Sequence, residues 1–178
     1  MTHFAPVEPD TATGESADLL TQVKKSLGAV PNMTKGMANS PTLLKSFLAL
    51  SGAVGSGTLP AAVRERLAIS TAQLNGCEYC LSAHTMIGAN VAKIDGEELD
   101  GARRGESSDA HIAAVLQLSN TIAENAGDVD EADIETALEA GVTEEEIGEV
   151  VANLALNVMT NYFNVLARTE NEFPVVSL

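Results

Sequence analysis

Read for its apolar positions alone, the chain divides into stretches with a period near 3.6 residues, punctuated by glycine, proline and acidic clusters. Leu19, Leu20, Val23 and Leu27 make one stripe, and it closes on Gly28, a residue suited to the left-handed turn that ends a helix. The segment "VPNM" then breaks the chain. Ser40 and Pro41 predict a capped start for a second helix bearing Leu43, Leu44, Phe47, Leu48 and Leu50, which runs out in "SGAVGSG". A third helix follows Pro60. From Leu67 to Leu74 it carries no charge on any face, so it is expected to be largely buried. Asn75 and Gly76 end it, and "CEYCLSAHTMIGANVAKI" continues as a fourth helix starting at or just before Cys77. Residues 95–109 read equally as a surface loop or a short acidic helix. Ile112, Val115, Leu116, Leu118 and Ile122 mark a fifth helix, and Asp130 to Gly141 bounds a sixth. The last opens on a capping box, Thr143 to Glu146, and carries Ile147, Val150, Val151, Leu154, Val158 and Tyr162. No stretch alternates with period two. The pattern therefore predicts an all-α bundle of about seven helices, one domain over 16–178, behind a polar, flexible arm at 1–15.

Composition narrows what such a bundle does. With 178 residues, 45% hydrophobic and only 3% aromatic, the chain can close one core built from Ala, Leu, Val and Ile. The net charge of -15 and the lack of any basic stripe argue against nucleic acid or anionic lipid as a partner. The first twenty residues have neither the positive start nor the apolar centre of a secretory leader, and no uninterrupted apolar run approaches the ~20 residues that span a bilayer. The expectation is a cytoplasmic protein without membrane contact. In that reducing compartment two nearby cysteines point to redox or metal chemistry rather than to a structural disulfide.

The only two cysteines, Cys77 and Cys80, stand with His84 at i, i+3 and i+7. At about 100° per residue these positions share an arc of roughly 60°, one stripe of a helix. The first turn of a helix favours a thiolate, two cysteines there can close on each other, and an imidazole one turn further can carry the proton. Zinc is the competing use of the same residues, with His3, His111 or a carboxylate needed to complete four ligands. A haem attachment would require histidine where Leu81 stands. Inert buried thiols are the plain alternative.

The run "RERLAISTAQLNGCEYCLSAH" resembles the alkylhydroperoxidase AhpD-like branch of the carboxymuconolactone decarboxylase family, in which a glutamate on one helix precedes C-x-x-C-x-x-x-H on the next; "VPNMTKGMANSPTLLKSFLAL" and "NYFNVLARTENEFP" share that family's cadence. The resemblance implies an all-α fold, homotrimers or hexamers, and thiol-dependent reduction of hydroperoxides. It implies Cys80 as the peroxidatic thiol, Cys77 as the resolving thiol, and His84 with Glu65 as a proton relay. No cofactor is implied beyond an external dithiol reductant, a lipoyl-bearing protein in the best-known members. Where some members place a histidine before the second cysteine, this chain has Tyr79, which cannot serve as a base near neutral pH. Taken without the resemblance, Glu65 between Arg64 and Arg66 reads as a solvated charge, and His3 and His111 as solvated too. Asn153, Asn157, Asn161 and Asn164 form a polar stripe that fits a wet outer face as well as a subunit interface or the edge of the active site. The expected activity is a thiol peroxidase; a carboxymuconolactone decarboxylase-like lyase and a non-catalytic redox sensor are the alternatives.

Overall fold

The computed structural model describes residues 2–178. Among the described residues there are nine helices and no strand: α1 (Gly14–Leu27), α2 (Asn32–Met37), α3 (Pro41–Gly55), α4 (Ala61–Leu74), α5 (Glu78–Asn90), α6 (Gly96–Arg103), α7 (Ala110–Glu124), α8 (Glu131–Glu139) and α9 (Glu144–Ala167). The local start and stop signals act as the sequence predicts. Gly28 takes φ 78°, the Ser40 side chain accepts from the Leu43 N–H at 3.3 Å, and the Thr143–Glu146 capping box is complete.

The two helices beyond the expected seven are short. α2 spans six residues, too few for a period to show, and is held by α3 and α9; a Cβ on its Gly36 would lie 3.2 Å from the Phe163 ring. α6 settles 95–109 in favour of the acidic helix: Asp95 caps it through the Glu98 N–H at 2.9 Å, and Leu99, Gly101 and Ala102 are buried.

α4 is the hub, packed by α5, α6, α7 and α9, as its charge-free run requires. One cluster joins Leu59, Val63 and Leu67 to α7 and α8; a second surrounds the thiols with Ile69, Ala72, Leu81, Ile94 and Leu99; a third joins α1 and α3 through Leu20, Val23, Met37 and Leu44. The segment before α1 lies on the chain's own helices. His3 N–H donates to Ala167 O at 2.7 Å, its Nδ1 sits 2.7 Å from Leu166 O, and Phe4 stacks on Phe163.

α9 turns the expected faces around. Its four asparagines are buried, so they are not a wet outer face, while Val151, Tyr162, Val165 and Leu166, two of them assigned to the core by periodicity, are exposed. The physical reason is local. Asn153 and Asn157 donate to the carbonyls of Glu149 and Asn153, one turn back, at 2.8 and 2.9 Å, so each buried amide nitrogen has a partner within its own helix. The 24-residue helix has a window of mean hydropathy 1.2, enough in length and composition to cross a membrane, yet here it serves as a wall of the bundle against α3, α4 and α7.

Candidate active site

α4 ends and α5 begins within three residues. Gly76, at φ 64°, permits the left-handed step that Cβ-bearing residues resist, and Cys77 N–H then donates to Ala72 O at 2.9 Å. That reversal makes Cys77 the N-cap of α5 rather than a member of its first turn. Its Sγ accepts from the Cys80 N–H at 3.4 Å, and it has φ -100° and ψ 90°. The three side chains expected on one stripe therefore separate: Cys80 and His84 reach the cavity wall, and Cys77 lies behind Cys80 with 1% of its surface exposed. A helical arc cannot be extended to a residue whose backbone is extended.

The cavity has a volume of about 250 Å³ and lies between α5, α3 and α9. Leu27, Met33, Phe47, Ile87, Leu156 and Phe173 supply apolar walls, and Cys80, His84, Glu65 and Tyr79 supply the chemistry. No lysine or arginine lines it.

Glu65 reaches this cavity from α4, and His84 donates through Nδ1 to its Oε2 at 2.8 Å. The solvated-charge reading of Glu65 is thus overturned; its side chain is 20% exposed. The flanking arginines point elsewhere, as neighbours 100° apart on a helix must. Arg64 donates to Leu59 O, and Arg66, itself buried, pairs with Glu98 at 3.1 Å. Hydrogen bonds from Ser107 and Ser108 together with that guanidinium hold Glu98 down to about 2.

The electrostatics divide the two thiols. Cys77 is pushed up, first by donating its proton to the Cys80 sulfur and then by burial, so it stays a thiol. Cys80 is lowered to about 6: the hydrogen bond from Cys77 dominates, burial opposes it, and His84, Asn164 and Asn161 assist. It also sits in the first turn of α5, where free N–H groups favour an anion. For His84, burial works against the charged ring, but the Glu65 carboxylate and the Cys80 sulfur outweigh it and raise its pKa. The site thus favours a thiolate at Cys80 and shifts the neighbouring imidazole towards its charged form.

Residues 41–124, which carry Glu65, both cysteines and His84, match the Carboxymuconolactone decarboxylase family. The family match covers just under half of the chain, from α3 to the end of α7. The chain's helical arrangement is AhpD-like: a peroxidase-related protein from Ralstonia eutropha, described as an alkylhydroperoxidase AhpD core, superposes with a TM-score of 0.84 at 22% identity over 96% of this chain and 92% of that one. The debrominase Bmp8 in complex with 2,3,4-tribromopyrrole superposes at 0.78 with 18% identity, covering 97% and 92%. A peroxidase-related protein from Silicibacter gives 0.72 at 21%, covering 97% and 87%. At such identities the likeness is one of fold. No curated protein matches the sequence.

Other residues at the site carried no local signal for their place. Asn164, from α9, donates through Nδ2 to Cys80 Sγ at 3.2 Å, and Asn75 in the α4–α5 turn donates to Asn161 Oδ1 at 3.0 Å. Their spacing was visible in the sequence, but the side of the bundle they face is set by packing. Tyr79 is buried; its hydroxyl accepts from the Met33 N–H at 3.3 Å and donates to Glu172 at 3.0 Å. Desolvation pushes its pKa up, so it remains a neutral phenol. The irregular segment after α9 closes the wall. Phe173 meets Tyr79 edge-on at 5.3 Å, and Asn171 Nδ2 and the Val176 N–H both donate to Ser82 Oγ at 3.0 Å. His111, read as solvated, instead pairs through Nε2 with Glu146 Oε1 at 3.0 Å, far along the fold from the thiols. Neither it nor His3 joins the cysteines as a fourth ligand.

Proposed function

We propose that the protein is a thiol-dependent peroxidase of the alkylhydroperoxidase type, reducing organic hydroperoxides through Cys77 and Cys80. The observation that carries this reading is the placement of a stabilised Cys80 thiolate on the wall of an apolar cavity beside the His84–Glu65 pair, with a protonated Cys77 directly behind it. The thiolate attacks one oxygen of the hydroperoxide; the O–O bond breaks, sulfur is oxidised by two electrons, and the departing alkoxide takes a proton from His84. Glu65 holds the imidazolium and its orientation. The Cys77 thiol then displaces hydroxide from the Cys80 sulfenic acid, water leaves, and a disulfide forms. An external dithiol, of the lipoyl kind, reopens it by exchange and takes up the two oxidising equivalents.

A reducing cytoplasm would keep both thiols available for the first step. The apolar outward face of α9, with Val151, Tyr162, Val165 and Leu166 exposed, supports a homo-oligomer, a trimer or hexamer. A lyase acting on a carboxylated lactone is less well served, because the cavity offers such an anion no lysine or arginine. A redox sensor would use the same thiols without steady turnover.

The test is thiol titration with mass analysis before and after one equivalent of cumene hydroperoxide. Wild type should lose both thiols to an internal disulfide and one equivalent of alcohol should appear. Cys77→Ser should trap a sulfenic acid and Cys80→Ser should not react. Survival of both wild-type thiols would end the peroxidase reading; one oxidation without repeated turnover on added dithiol would favour the sensor.

A further inference from the structure

Buried polar atoms without partners are few, and two of the three among the described residues are Asn161 Nδ2 and Asn164 Oδ1; the third is Thr85 Oγ1. Both asparagines are fully inside the protein, on adjacent turns of α9, across from the first turn of α5. A buried amide donor left without a partner is destabilising, so one across from a reactive sulfur is a cost the fold would shed if the site did not use it. Asn164 already donates to Cys80 Sγ at 3.2 Å, and Asn161, one turn before it on α9, is anchored by Asn75 through its Oδ1 at 3.0 Å with its own amide unpaired.

We propose that Asn161 and Asn164 form a carboxamide cradle that holds the Cys80 sulfur as a thiolate and receives the oxygen that sulfur acquires. The inference rests on the peroxidase reading for its second half only. A sulfenic acid brings one oxygen that accepts and one O–H that donates, the complement of the two atoms left unpaired. Asn164 Nδ2 keeps its hydrogen bond to sulfur, Asn161 Nδ2 donates to the new oxygen, and Asn164 Oδ1 accepts from the sulfenic O–H. The cradle thereby protects the intermediate until Cys77 arrives. The cradle comes from α9, outside the segment 41–124 that carries the thiols, glutamate and histidine. Asn153, on the same buried stripe, keeps its amide on the Glu149 carbonyl and takes no part.

The experiment follows Cys80 alkylation by iodoacetamide against pH, with the site mapped by mass, in reduced wild type, Asn164→Leu, Asn161→Leu and the Asn153→Leu control. Losing a hydrogen bond to the charged form should move the Asn164→Leu profile upward by about one pH unit, while Asn153→Leu overlays wild type. Asn164→Ser, too short to reach the sulfur, repeats the test should the leucine variant not fold. In a Cys77→Ser background, Asn161→Leu should pass from sulfenic to sulfinic acid faster than the parent at equal peroxide. Alkylation needs no peroxide. A shifted profile therefore stands for the cradle even if wild type leaves cumene hydroperoxide untouched, and a profile unmoved in both Asn164 variants overturns it even if peroxide is consumed.

Discussion

The starts of α5 and α9 are built on the same skeleton and do opposite things. In each, the cap side chain accepts from the backbone N–H three residues on: Cys77 Sγ from Cys80 at 3.4 Å, Thr143 Oγ1 from Glu146 at 3.2 Å. Each also keeps a histidine–glutamate pair, His84 with Glu65 at 2.8 Å and His111 with Glu146 at 3.0 Å. What differs is where the third residue's side chain goes. Glu146 folds back onto the Thr143 N–H at 2.8 Å and is consumed by the cap. At α5 the Cys77 N–H is already taken by Ala72 O, so the Cys80 sulfur has no backbone duty and is free for a substrate. A histidine–carboxylate pair is thus no signature of catalysis by itself; the uncommitted nucleophile beside it is.

The sharpest way to break this comparison is to remove each pair in turn. Glu65→Gln and His84→Gln should lower peroxide turnover by about 10²–10⁴-fold, the usual weight of a positioned proton donor, with little change in melting temperature. His111→Gln should leave turnover within error. A comparable loss of rate from His111→Gln would mean the two pairs are not separate in function.

The pH dependence comes next. The reactive form needs Cys80 ionised and His84 protonated. With Cys80 lowered to about 6, the rate should climb as pH rises through that region; with His84 raised above 6.5, it should fall again only above that value. Glu65→Gln removes the charge that raises His84, so the descending limb should move to lower pH. A limb that stays in place would detach Glu65 from the histidine.

The same comparison explains what the sequence could show. The capping box at Thr143–Glu146, the Ser40–Pro41 start and the C-x-x-C with His84 are contained within a few residues, and backbone sterics and hydrogen bonding act at that range. Glu65 is different. Its neighbours Arg64 and Arg66 suggest solvent, and only the resemblance, not the local pattern, placed it with His84, because which 100° sector of α4 meets α5 is decided by packing. The asparagine stripe left a wet outer face and the edge of the site equally open for the same reason: carboxamides that satisfy themselves one turn back can be buried or wetted, and packing put Asn164 beside Cys80. α2 was invisible because six residues hold no periodic signal.

On stability the ranking of the two helix starts should invert. Thr143→Ala should cost about 1 kcal/mol by denaturant melting, the typical loss on removing a hydroxyl cap, with turnover unchanged. Glu146 adds an acid dependence. Burial opposes its charge, but hydrogen bonds from Thr143 and His111 win and lower its pKa below 4.5. A carboxylate held low in the folded state stabilises fully above its unfolded value and loses that contribution as pH falls through the folded one. Wild type should therefore lose stability on acidification below about pH 4.5 more steeply than Glu146→Gln.

The smallest effect is also the one that separates the two starts most cleanly. Sulfur is a long, weak acceptor for the Cys80 N–H, and serine is among the preferred caps where cysteine is not. Cys77→Ser should thus leave the melting midpoint unchanged or raise it, by a few tenths of a kcal/mol, while abolishing the internal disulfide. Its hydroxyl is a stronger hydrogen-bond donor than a thiol, so where it reaches the Cys80 sulfur the alkylation profile should stay in place or move downward. A stability loss as large as that of Thr143→Ala would show that Cys77 is kept as a cap. A neutral or stabilising result alongside lost disulfide would show that α5 gives up part of its best start to hold a thiol where a threonine-like cap would otherwise stand.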